Sequence, residues 1–174
     1  MVRYLPLFRP VLFAIALMAF SISSLGQTIQ SSGGGSGNWN DPLSWTPNTV
    51  PTNANSTAII INAGHTITVT ANVSIDQATI AAGGIVTING GVNLTIAAGP
   101  TANDLTIDGT LNNNGTLTST LMFPPPPPKV GVIRIRNGGV LNNAGIITNA
   151  SASSLIFDGG STYDHQQDGS GIPT

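Results

Sequence analysis

From Ile59 to Asp108 the chain is a row of short segments in which polar and apolar side chains alternate. Thr66-Ile67-Thr68-Val69-Thr70, Val92-Asn93-Leu94-Thr95-Ile96 and Leu105-Thr106-Ile107-Asp108 alternate strictly, with Asp76–Ala81 and Ile85–Asn89 between them. Successive side chains of an extended backbone point to opposite faces, so this pattern in β-branched residues predicts strands with one face buried. The segments are separated only by Asn-Ala-Gly, Gly-Gly, Asn-Gly-Gly and Ala-Gly-Pro. Glycine at such breaks supplies the positive φ of a tight corner. No helix-period segment intervenes. Ala58-Ile59-Ile60-Ile61 reads as the first strand.

Further on, Leu111-Asn112-Asn113-Asn114-Gly115-Thr116-Leu117 is echoed thirty positions later by Leu141-Asn142-Asn143-Ala144-Gly145-Ile146-Ile147. Between the copies lie Pro124 to Pro128. Proline removes the ladder donor and prefers the extended polyproline form, so residues 123–129 are expected to leave the sheet as an outward loop. Without that loop the repeat shrinks to roughly 22 residues, inside the range of solenoid repeats. A β-sandwich also spaces strands this closely, but it needs hairpins and longer crossing loops. The expected fold is therefore all-β, a single-stranded, right-handed parallel β-helix over residues 58–174. Each coil would pair with the coils above and below, and like residues would stack in ladders. The inward set runs from Ile59 and Ile61 through Leu94, Leu111 and Leu117 to Ile133, Leu141, Ile147 and Leu155.

Residues 1–26 have the pattern of a cleaved signal peptide. Arg3 and Arg9 precede the apolar run Val11–Phe20, and small residues lead to a cleavage point near Gly26/Gln27. The run is too short for a membrane span, which takes about 20 apolar residues. Export to the outside of the cell or its outer surface follows. Residues 27–37, rich in Ser and Gly, read as a flexible lead-in. Residues 38–57 read as an N-terminal cap segment. They hold Trp39 and Trp45, the chain's two tryptophans. Such a pair either stacks sugars or covers the open end of a stacked β structure. Its place just before the first strand favours the cover.

After the leader the chain carries three basic against seven acidic side chains, net −4. That balance argues against nucleic acid, whose binders show a basic stripe. Cysteine is absent, which excludes disulfides and thiol chemistry.

The segment Gly37-Asn38-Trp39, Trp45, Val50-Pro51-Thr52, Ile59-Ile60-Ile61 and Ala63-Gly64-His65-Thr66-Ile67-Thr68-Val69 resembles the opening of large Bacteroidota surface proteins. Those begin with a G-x-W…W…V-P pattern, an I-x-x-G-H-x-V-x-V strand pair and glycine-punctuated β-helix repeats. A looser similarity is to G8-type domains, which share the W…W…V-P opening. The stretch Phe157–His165 with Asp168–Thr174 resembles one further coil of the same proteins. The resemblance covers most of residues 37–174. It implies a β-helical exoprotein, carries over no catalytic residue, and implies covalent continuation into a longer chain, since the tail shows no counterpart to the tryptophan cover.

Enzymes on β-helices work with clustered carboxylates and a cationic base, or with paired acids. Neither cluster is present. Asp104 and Asp108 are four apart with a strand start between them, and Arg134 and Arg136 share a strand face by the alternation. No His pair has metal spacing, so no metal, cofactor or catalytic residue is expected. Three functions remain: a structural or adhesive surface module, a carbohydrate-binding module, and a partial polysaccharide lyase or hydrolase. The first is the expected one. The second would use Trp39, Trp45 or Tyr163 against a glycan, and the third Arg134 and Arg136 against a uronate. The expected partner is an extracellular glycan or surface partner, with no nucleic acid and no membrane span in the mature chain.

Overall fold

The computed structural model describes residues 26–122 and 128–167. The leader as far as Leu25, the proline run from 124 to 127 and the tail after Gln167 lie outside the described residues. In chain order, β1 (Gln27–Ser31) and β2 (Ser36–Asn38) lead to a 3-10 turn at Pro42–Ser44 and to β3 (Trp45–Thr46). Three circuits of three strands follow: β4 (Ser56–Ile61), β5 (Thr66–Val69) and β6 (Val73–Ile75); β7 (Ala78–Ile80), β8 (Ile85–Ile88) and β9 (Asn93–Ile96); β10 (Leu105–Ile107), β11 (Thr110–Asn113) and β12 (Thr116–Ser119). A small hairpin, β13 (Leu121–Met122) and β14 (Lys129–Val130), interrupts the pattern. It resumes with β15 (Ile133–Ile135), β16 (Val140–Asn143) and β17 (Ile146–Thr148), then β18 (Leu155–Phe157) and β19 (Thr162–His165).

Each strand of a circuit pairs with its counterpart in the circuits before and after it. One sheet has the order β3-β1-β4-β7-β10-β15-β18, a second β2-β5-β8-β11-β16-β19, and a third β6-β9-β12-β17. All these pairings are parallel except that of β1 with β3. Parallel neighbours need a long connection between them. Here the remainder of the circuit supplies it: bonded side chains of adjacent strands are 25 residues apart at Thr87 and Asn112 and 30 apart at Asn113 and Asn143. At the corner between the first and second sheets, Gly64 and Gly83 stack with φ of 78° and 81°, and Gly64 N donates to Gly83 O. A β-branched residue would be strained there.

The alternation decides what lies inside. Ile59, Ala78, Leu105 and Ile133 stand in one register column of the first sheet. Ile67, Val86, Leu111 and Leu141 form a column in the second, and Val73, Leu94 and Leu117 one in the third. All are buried. Burying one such aliphatic side chain is worth about 1.5–3 kcal/mol before chain entropy is subtracted. Of the expected inward set, Ile147 and Leu155 are only partly buried, because they stand in the last strands of their sheets.

Residues 27–37 correct the expectation of a flexible lead-in. Gln27–Ser31 is a strand whose Ile29 is buried beside Ile59. Ser31 is locked to the first circuit: its Oγ accepts from Asn62 N at 2.9 Å, and its carbonyl accepts from Asn62 Nδ2 at 2.8 Å. Ser/Gly composition reports local preference, whereas the edge of β4 supplies the partner. Val73–Ile75 is likewise a strand that its three residues do not announce. The proline run is inserted between β13 and β14, which pair antiparallel apart from the three sheets.

Candidate functional site

The two tryptophans are buried, 1% exposed for Trp39 and fully enclosed for Trp45. Their rings meet edge to face with centroids 4.8 Å apart. Trp45 Nε1 donates to Trp39 O at 2.7 Å, and Trp39 Nε1 donates to Pro51 O at 3.1 Å. Asn53 N donates to Ser74 O of β6, the first strand of the third sheet. The segment thus closes the N-terminal end of the stack. With both rings buried and both indole N–H groups used, neither Trp39 nor Trp45 offers a face to a sugar, which corrects their reading as a stacking platform.

Arg134 and Arg136 are each engaged by a carboxylate of an adjacent circuit. Arg134 Nη2 lies 2.9 Å from Asp158 Oδ1, and its Nε donates to Asp158 Oδ2 at 3.0 Å. Arg136 Nε lies 2.8 Å from Asp108 Oδ1, and its Nη2 donates to Asp108 Oδ2 at 2.9 Å. Asp108, Arg136 and Asp158 all follow the last residue of a first-sheet strand, so stacking brings them together. The bond to Asp158, with its charge, raises the pKa of Arg134 further. Each guanidinium gives one bidentate edge, Nε with Nη2, to its carboxylate, the manner of contact a uronate would use. Tyr163 is half-buried: its hydroxyl accepts from Asn143 Nδ2 at 3.2 Å and lies 3.0 Å from His165 Nδ1. Its ring packs edge to face on Phe157. The expected glycan contacts therefore lie in three separate places: the N-terminal cover, the ladder of ion pairs and the last strand of the second sheet.

A groove of about 250 Å³ opens instead on the outer face of the first sheet. Thr57 and Ala58 of β4, Ala78 and Thr79 of β7 and Thr106 of β10 line it from the sheet side. Gln77, just before β7, and the loop residues Thr101, Ala102 and Asn103 complete the lining. None of these side chains is charged. Gln77 has φ of 53°, the only non-glycine residue with positive φ among the described residues.

Beside the groove lies a buried carboxyl pair. Asp104 is 1% exposed and accepts from Gly99 N at 2.6 Å and from Val132 N at 2.8 Å. Burial pushes its pKa up, against those two donors and the charge of Lys129. Asp76 is 7% exposed; its Oδ2 accepts from Gln77 Nε2 at 3.3 Å, and its Oδ1 is buried without a partner. Burial raises its pKa, and the charge of Asp104 adds to the rise. Gly99 is needed between them, since a Cβ there would come within 2.8 Å of Asp104 Oδ1 and of Asp76 Oδ2. Neither carboxyl lines the groove. Among the described residues no cluster of three or more His, Asp, Glu or Cys is placed to hold a metal ion, and no helix is long and apolar enough to cross a membrane.

Neither the groove nor the Asp76–Asp104 pair was read from the sequence. One signal was available: both aspartates closely precede a first-sheet strand, at Ala78 and at Leu105, and those two residues share a register column. No family model matches the chain, and no curated protein or solved structure matches it significantly.

Proposed function

We propose that this chain is a secreted or cell-surface structural and adhesive module without catalytic activity of its own, built as a right-handed, single-stranded parallel β-helix. The observation that carries the reading is the pairing of each strand with its counterpart one circuit away, in three parallel sheets. Parallel crossovers are overwhelmingly right-handed, and a stack that lengthens by whole circuits makes a stiff, extended surface. The absence of catalysis is supported by the chemistry of the charged groups: Arg134 and Arg136 are held by Asp158 and Asp108, and Asp76 and Asp104 are buried and do not line the groove. Export is supported by the leader pattern of residues 1–26, and a surface role by the resemblance of residues 37–69 to Bacteroidota surface proteins.

The test is expression of the whole precursor in a Gram-negative host, followed by fractionation and mass analysis. The exported protein is expected to begin at or near Gln27. The purified chain, incubated with pectin, alginate and neutral glucans, is expected to release no reducing ends and no unsaturated uronate. Turnover that Arg134→Ala abolishes would overturn the non-catalytic reading in favour of a lyase.

A further inference from the structure

We infer that the groove over β4, β7 and β10 is a binding site for a neutral, hydroxyl-rich glycan segment. The inference rests on the adhesive reading and names its ligand class. Four observations converge. The lining is wholly uncharged, with hydroxyls on Thr57, Thr79, Thr101 and Thr106, that of Thr101 donating to Asn103 O and that of Thr106 on a residue only 8% exposed, and amides on Gln77 and Asn103. Thr79 and Thr106 are register partners, so two hydroxyl-bearing residues stand side by side at the strand spacing of about 4.8 Å. Ala58 and Ala102 leave room between the polar groups, as in sites where a few placed polar groups orient a ligand. Last, Gln77 is held in the left-handed region that non-glycine residues avoid. The buried carboxylate of Asp76 accepts from its amide, which fixes the orientation of its carbonyl oxygen.

Other ligand classes fit this groove poorly. A nucleic acid or a sulfated chain needs cations, and the lining has none. A uronate needs a cationic partner, the lining has none, and the nearby Arg134 is committed to Asp158. A peptide adding as a strand needs a free sheet edge, whereas β4, β7 and β10 are each paired on both sides. A lipid chain needs an apolar wall. A neutral sugar brings hydroxyls that both donate and accept, matching threonine hydroxyls and side-chain amides.

The experiment is an array of neutral oligosaccharides (glucans, mannans and xylans), printed beside uronate-containing and peptide controls and probed with the mature chain. Calorimetry on the best neutral binder follows. Retention on neutral glycans is expected, with Thr79→Val and Gln77→Gly each weakening it about tenfold, the loss of one good hydrogen bond. Thr79→Val keeps the shape and the strand preference, so its melting temperature is expected to stay at the wild-type value. It therefore decides the matter even if Gln77→Gly unfolds on losing its bond to Asp76. Failure to retain any neutral glycan, retention of uronates or peptides alone, or affinity unchanged in both variants would each overturn the site. None of these would disturb the structural reading, which circular dichroism of the same sample checks. Conversely, cleavage of a bound glycan would end the non-catalytic reading while leaving the groove in place.

Discussion

The interior of the second sheet changes character along its length. Val69 of β5, Ile88 of β8, Asn113 of β11 and Asn143 of β16 occupy one register column, and all four are buried. The first two need nothing beyond contact. The last two carry amides into the core and must find partners there: Asn113 Nδ2 donates to Asn143 Oδ1 at 2.7 Å and to Ile146 O at 3.0 Å, and Asn143 Nδ2 donates to the Tyr163 hydroxyl. Asn113 Oδ1 has no partner. In this column the early circuits are therefore held by volume and burial, and the later ones add a chain of bonds that only neighbouring circuits can complete. A parallel amide ladder runs outside, where Asn142 Nδ2 donates to Asn112 Oδ1 at 2.8 Å. The difference teaches that identical backbone geometry tolerates either solution, with different failure modes. A cavity in the apolar half is a local loss, whereas an amide removed from the polar half leaves other groups unsatisfied.

Variants can break that contrast, and the largest effect is expected at the N-terminal cover. Trp45→Ala should cost about 3–5 kcal/mol, read as a drop in the urea midpoint; loss below about 1 kcal/mol would mean that the cover is dispensable. Ile88→Ala, in the apolar part of the column, should cost about 2–5 kcal/mol with the slope of the urea transition unchanged. In the polar part, Asn143→Ala should cost about 1–3 kcal/mol. Replacing Asn113 and Asn143 together by Leu should cost less than the sum of the single Leu changes, because neither amide is then left facing an apolar partner. Additive losses in that double-mutant cycle would show that the two amides are not coupled.

The acid corner sharpens the comparison further, since there burial is imposed on a titrating group. The pKa of Asp76 is raised above its ordinary 3.8, so the folded state prefers the protonated form more than the unfolded state does. Its contribution to stability is fully present below the unfolded value and is lost as pH rises through the folded one. Asp76→Asn should accordingly stabilise the protein at neutral pH and reduce the gain seen on mild acidification. Melting curves of both proteins between neutral pH and the ordinary carboxylate range would check it; a variant less stable than wild type at neutral pH would contradict the raised value. The smallest effect is expected outside the three sheets. Exchanging residues 123–128, which leaves Lys129 and the β13–β14 pairing in place, for a Gly-Ser linker should change stability by no more than about 0.5 kcal/mol, and unfolding on that exchange would place the insertion in the packing.

Much of the backbone pattern was legible in the residues themselves. Alternation is a local property: each strand of four residues declares which side chains share a face, so Ile67, Val86, Leu94 and Leu111 are recognisable as inward without knowledge of the partner strand. The glycines at the corners and the two Leu-Asn-Asn copies were equally plain. What resisted reading depended on distant neighbours. Residues 27–31, at the head of the lead-in, form a strand because β4 presents an edge to them.

Sequence alone thus determined that the chain extends in short strands, where it turns, and which aliphatic side chains point inward, because those properties act over two to four residues. Tertiary structure decided everything that passes between circuits. It buried Trp39 and Trp45 against each other, filled Arg134 with Asp158 and Arg136 with Asp108, and set Asp76 beside Asp104 around Gly99. Those partners lie on separate circuits or on opposite sides of a turn, and no local preference of either residue specifies the other. Only the pairing of strand on strand brings them within reach of a hydrogen bond, and with them the groove whose lining comes from β4, β7, β10 and the loop before β10.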